Sequence, residues 1–222
     1  MTTRVEAPHV THGTLLLGDI SGYTTFLETV AVAHPEMARA GNTVAPAYPI
    51  LSDLLNVVVE ATAPTFQLEE IEGDAVFAYA PDDRQVGGAA MLLGMVRSAY
   101  GAFKDRIEEA MAIEMPRHDC QACPVLPTLE LEFLVHHGTQ VVQRIAGREK
   151  LIGPAVNLVH RLLKNSVTEQ TGHRGYLFMT DAAAKQLGLT PGIGLAHTEH
   201  YEDVGLISGV VIGLDDEATG AG

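Results

Sequence analysis

The stretch Thr14–Leu27, TLLLGDISGYTTFL, decides how the chain is read. Leu15, Leu16 and Leu17 form a short buried-strand run, Gly18 follows, and a carboxylate, Asp19, stands where the strand gives out. A turn at Ser21–Gly22 leads into an amphipathic helix expected over Thr24–Val32, with Phe26, Leu27, Val30 and Ala31 at helical spacing and Thr24 or Thr25 as its cap. An acid at the end of a buried strand, beside backbone carbonyls, suits a hard cation. Taken alone, Asp19 reads as a cap for the following helix, as such residues do in most chains.

A second acid sits in a similar setting. Phe66–Tyr79, FQLEEIEGDAVFAY, holds two short alternating runs broken at Gly73-Asp74, which predicts a hairpin with Asp74 at its tip. Two carboxylates on two strand ends can hold divalent ions that bridge a phosphate, because Mg²⁺ takes one or two protein carboxylates and completes its shell with substrate oxygens.

Four segments in order, DISGYT (Asp19–Thr24), EGDAVFAY (Glu72–Tyr79), HHG (His136–Gly138) and GPAVNLVHR (Gly153–Arg161), resemble the signature segments of the class III nucleotide cyclase domain. The resemblance covers roughly residues 13–213. It implies an α+β fold, a ferredoxin-like α/β sandwich with hairpins and crossover helices around one mixed sheet. It divides the chain into an N-terminal extension (1–12), a cyclase-like domain (13–213) and a flexible tail (214–222). It further implies Asp19, Ile20 and Asp74 as ligands of two Mg²⁺ or Mn²⁺ ions, and a head-to-tail homodimer in which Asn157 and Arg161 of one subunit complete the site whose metals lie on the other. In that family the Asn orients the ribose and the Arg answers charge on the α-phosphate, a role that suits its planar fork of donors.

Base recognition departs from the common patterns. Adenylyl cyclases usually carry Lys and Asp, and guanylyl cyclases Glu and Cys, where this chain has Glu70 and Lys150. The two are candidate substrate-binding residues, or partners in a salt bridge that blunts discrimination between bases. The late strand reads VGLISGVV, with Ser208 where the family typically has a phosphate-holding Lys. Lys164, Arg148 and Lys185 are alternative cations that the sequence does not place. The implied activity is conversion of a nucleoside triphosphate to a 3′,5′-cyclic nucleotide and pyrophosphate. The alternative is a degenerate cyclase-like module that binds nucleotide, senses or interacts without turnover.

Bulk properties set the outer limits. The chain has 222 residues, 46% of them hydrophobic, enough for one well-filled core. A formal charge of −14, from 28 acids against 14 bases, argues against nucleic acid or anionic lipid as partner. No apolar run reaches the roughly 18 residues of a membrane span and the N-terminus lacks a signal-like apolar core, so a cytoplasmic location is expected. Ala40–Ala63 is read as a helix whose start Pro46 and Pro49 delay or kink. A long helix follows to about Ala112, with Ala90, Leu93, Val96, Ala99 and Phe103 as its buried stripe and Met91, Met95 and Met111 as core fillers. An insertion at about 114–127 carries His118, Cys120 and Cys123, short of a fourth zinc ligand and too few cysteines for a disulfide framework. Leu129–His137 is expected to be a half-buried strand ended by Gly138, with Gln140–Ile145 as its return, and His136 and His137 are read as packed or solvated rather than catalytic.

Overall fold

A computed structural model describes residues 7–35, 44–45, 47–84, 86–113 and 123–215. One mixed sheet runs β2-β3-β1-β4-β6-β8-β7, with β5 paired to β4 off this path. The strands are β1 (His9–Ser21), β2 (Gln67–Glu72), β3 (Ala75–Pro81), β4 (Glu130–Ile145), β5 (Arg148–Ile152), β6 (Tyr176–Thr180), β7 (Leu195–Tyr201) and β8 (Gly205–Gly213). All described pairings are antiparallel except β4–β6. β1 begins at His9, inside the span read as an N-terminal extension, and its first four residues pair with Thr139–Val142 of β4.

Strand alternation divides the core into two layers. Leu16 and Ile20 of β1 pack with α1 (Tyr23–Ala33), α2 (Ala47–Thr62) and α3 (Ala89–Ile113) through Phe26, Leu54, Val58, Val96 and Phe103. Leu15 and Leu17, on the other face, pack under α4 (Pro154–Arg161) and α5 (Val167–Thr171) through Leu158, Val159 and Val167. Asp19 shares the parity of Leu15 and Leu17, so its side chain belongs to the α4 face. A sixth helix, α6 (Asp181–Gln186), buries Ala183 on the first face.

Several local expectations are corrected. Helix α1 is capped by the backbone of Gly22 with no side-chain bond, leaving Thr24 and Thr25 inside the helix; Ala31 faces solvent. On α3 the buried alanine at the start is Ala89, not Ala90, and Met91 is 56% exposed, so it fills no core. Met95 and Met111 do pack against it. β4 does not end at Gly138: it runs sixteen residues to Ile145, and the hairpin turn lies at Ala146–Gly147, both with positive φ. Gly138 serves close approach instead, since an added Cβ there would stand 2.8 Å from Ala155 Cβ on α4. Nor is the middle of β4 half-buried, because α4 covers Leu134 while the other helices cover Phe133 and Val135. Pro46, His118 and Cys120 lie outside the described residues; Cys123 opens a 3-10 turn to Thr128. Among the described residues no helix is long and apolar enough to cross a membrane.

Candidate active site

The β1 and β3 register sets Asp19 across from Ala75, which brings the β2–β3 turn alongside the end of β1. Gly73 takes φ 66° at the first central position of that two-residue turn, as a II′-type hairpin requires, and Asp74 follows it. The Ile20 N–H donates to the Asp74 carbonyl at 3.2 Å and ties the two ends together. Ile20 enters this site through its backbone, since its side chain is in the core.

Asp19 faces a third acid that sequence reasoning missed. Glu132 stands directly opposite it on β4. Burial, then the charges of Asp74 and Glu132, push the Asp19 carboxyl up to about 7. Burial likewise raises Asp74 and Glu132. The Tyr176 hydroxyl donates to Glu132 Oε2 at 2.6 Å, and Asn165 Oδ1 stands 3.0 Å from the same hydroxyl. Glu132 is therefore anchored inward. Among the described residues no three His, Cys, Asp or Glu side chains are grouped to hold an ion unaided. The donor set still fits a hard divalent cation: two carboxylates on adjoining strand ends, with phosphate oxygens and water left to complete the shell. The charges of Asp74 and Glu132 both bear on Asp19, a charge arrangement that such an ion relieves.

The second group of residues lies on α4. Pro154 occupies the first turn, Ala155, Leu158 and Val159 bury the apolar side, and Asn157 and Arg161, four apart, share the other. His160 pins the helix over the hairpin, its ring centroid 4.9 Å from that of Phe77 and its Nδ1 3.6 Å from Glu72. Arg161 Nη2 donates to Asp203 Oδ2 at 2.8 Å, in the β7–β8 turn. Asn157, Arg161, Asp203, His136 and Thr139 line one cavity of about 630 Å³. Neither Asp19 nor Asp74 is among the residues that line it.

Lys150 of β5 donates to Glu70 of β2, and that bond holds the Glu70 carboxyl below its usual range. Ser208 is bonded to Thr198 across the β7–β8 pair at 3.1 Å. It sits out of phase with buried Val211, on the sheet face away from Asp19.

His136 is set inward on β4, its Nδ1 2.9 Å from Thr180 Oγ1. Burial, then His137, lowers its pKa to about 4. Because the folded value lies below the ordinary 6.5, the unfolded chain takes the proton first, and the His136 contribution to stability is lost as pH falls from about 6.5 to about 4. Asp19 titrates with opposite sign, so the check is the difference between wild type and His136→Gln in unfolding free energy from urea melts at pH 7 and pH 4.5. That difference is expected to shrink by about 2 kcal/mol on acidification.

A family model described as protein of unknown function, DUF2652, matches residues 51–171, more than half of the chain. The chain belongs to the DUF2652 family. A relative, the uncharacterized protein Rv2561/Rv2562 of Mycobacterium tuberculosis, is 33% identical over 166 residues, 69% of this chain and 73% of its own length. Among solved structures, this DUF2652 protein is similar to the adenylyl cyclase CyaB from P. aeruginosa, with TM-score 0.59 at 15% identity over 93% of this chain and 96% of that one. The guanylyl cyclase Cya2 gives TM-score 0.57 at 17% identity, covering 95% of both chains. A bacterial light-regulated adenylyl cyclase gives 0.60 at 12% identity, over 93% of this chain and 53% of that one. At these identities the likeness shows a cyclase-type α+β fold.

Proposed function

We propose that this DUF2652 protein is a metal-dependent nucleotide cyclase built as a head-to-tail homodimer. The observation that carries the reading is the Asp19–Asp74 arrangement, two half-buried acids whose strand ends are tied by the Ile20–Asp74 backbone bond, with Glu132 across the strand. Asp19 and Asp74 would hold two Mg²⁺ or Mn²⁺ ions there, whose chemistry would be to acidify the ribose 3′-hydroxyl and neutralise triphosphate charge. The reaction forms a bond from the 3′-oxygen to the α-phosphorus and breaks the bond from that phosphorus to the bridging oxygen. Pyrophosphate leaves with the electron pair and the hydroxyl proton passes to solvent. Arg161 of one protomer answers charge at the α-phosphate bound to the other, and Asn157 orients the ribose. Glu70 and Lys150 are paired with each other, and their opposite charges partly cancel where a base would be read, which supports weak discrimination among bases. The test is incubation of the pure protein with each of the four ribonucleoside triphosphates and Mn²⁺, with cyclic product sought by mass spectrometry.

Asp203 restrains Arg161 in this reading. The pair is exposed, the carboxylate at 70%, so it contributes under about 1 kcal/mol to stability. Asp203→Asn is therefore expected to lower KM about threefold through a freed guanidinium, with the melting temperature nearly unchanged. A raised KM contradicts this restraint.

The second reading is a cyclase-like binding or sensing module without turnover. It is supported by Ser208, bonded to Thr198 on the face away from Asp19, in place of a phosphate-holding cation. Nucleotide binding by calorimetry without cyclic product favours it.

A further inference from the structure

His136 lines the cavity of Asn157 and Arg161, yet neither the apolar layers nor the reaction proposed above uses it. Its ring is fixed at one nitrogen only: Nδ1 meets the Thr180 hydroxyl, which also accepts from the Ala183 N–H at 3.4 Å as the cap of α6. Thr180 is 2% exposed, so this anchor does not wander. The other nitrogen, Nε2, has no hydrogen-bond partner among the described residues. It is not sealed in, because Gly138 carries no side chain: an added Cβ there would lie 3.1 Å from Nε2. The ring thus forms part of the wall of the cavity shared by Asn157 and Arg161.

A neutral imidazole and a guanidinium in one cavity of about 630 Å³ ask for a ligand that carries both a hydroxyl and an anionic group. Burial keeps the ring uncharged at neutral pH, so it offers a hydrogen bond and no charge to a phosphate. Arg161 supplies the charge as it exchanges its Asp203 partner for the phosphate.

We infer that His136 is a substrate-contacting residue, binding a sugar hydroxyl of the nucleotide through Nε2 while Arg161 faces its phosphate. This rests on the nucleotide reading above and adds to it a residue that selects ribose over a sugar without hydroxyls. Thr180 and Gly138 act through it, the first by orienting the ring and the second by leaving its edge open.

Two substitutions separate contact from packing. Asn at 136 places a polar atom near the position of Nδ1 and keeps the Thr180 bond, but has nothing at Nε2. Gln reaches toward Nε2 and gives up Thr180. Calorimetry on the full chain with Mn²⁺ compares α,β-methylene ribonucleoside triphosphates, which cannot lose pyrophosphate, with 2′,3′-dideoxynucleoside triphosphates, for all four bases. His136→Asn is expected to weaken the ribonucleotide analogue about tenfold, the worth of one lost hydrogen bond, and leave the dideoxynucleotide within about twofold. His136→Gln is expected to retain most of the preference. Equal losses for both ligands, or a larger loss with Gln than with Asn, overturn the contact and leave a packing role. If wild type binds the analogues but His136→Asn changes neither, the inference falls while the nucleotide reading stands. If wild type binds none of them, both fall.

Discussion

Asp19→Ala is expected to abolish metal-dependent cyclic product, by about 10³-fold or more, while the chain stays folded. The size follows from what is removed, one of the two carboxylates proposed to hold the cations, and about 4 kcal/mol of transition-state stabilisation corresponds to that factor. The fold survives for a separate reason. Asp19 forms no described salt bridge; its charged neighbours are acids, and burial with their repulsion already holds its carboxyl near 7. Deleting a half-buried acid that its neighbours repel relieves the metal-free protein rather than weakening it. The variant is therefore expected to melt no lower than wild type without metal and to lack the rise in melting temperature expected of wild type with Mn²⁺. Activity that persists in Asp19→Ala removes the metal assignment.

Arg161→Ala is expected to lower kcat by about 10² to 10³, the usual consequence of deleting one donor aimed at developing charge. Arg161→Lys is expected to fall between, because a single ammonium cannot reproduce the fork. The only described bond of the guanidinium is the exposed one to Asp203, so neither change costs more than about 1 kcal/mol of stability. Unchanged kcat with a folded dimer removes Arg161 from the reaction.

Features written in a few consecutive residues were legible in the sequence. The acid ending β1, the Gly73-Asp74 turn and the Pro154-led helix with Asn157 and Arg161 on one side each follow from a local pattern of glycine, proline and alternation. Glu132 was not legible, because only the β1–β4 register, more than a hundred residues apart in sequence, brings it opposite Asp19. An acid in phase with Leu134 on an alternating strand was its one available signal. Asp203 was hidden in the same way, in a turn that meets Arg161 only after β7 and β8 pair. Gly138 misled because glycine in a strand can end it or admit a neighbour, and here the neighbour is α4. His136 looked like a packed histidine since nothing local reveals that one nitrogen is tied to Thr180 and the other left uncovered.

A site shared between two protomers is tested most directly by mixing two dead variants. Asp19→Ala and Arg161→Ala, each inactive alone, are to be combined, exchanged through mild denaturant and assayed for cyclic product with Mn²⁺. Random pairing makes half the dimers mixed, each with one site free of both lesions, so recovery to about a quarter of wild-type activity is expected. Wild type carried through the same exchange regains full activity, whereas mixed dimers that form and remain inactive contradict a site completed across the subunit boundary.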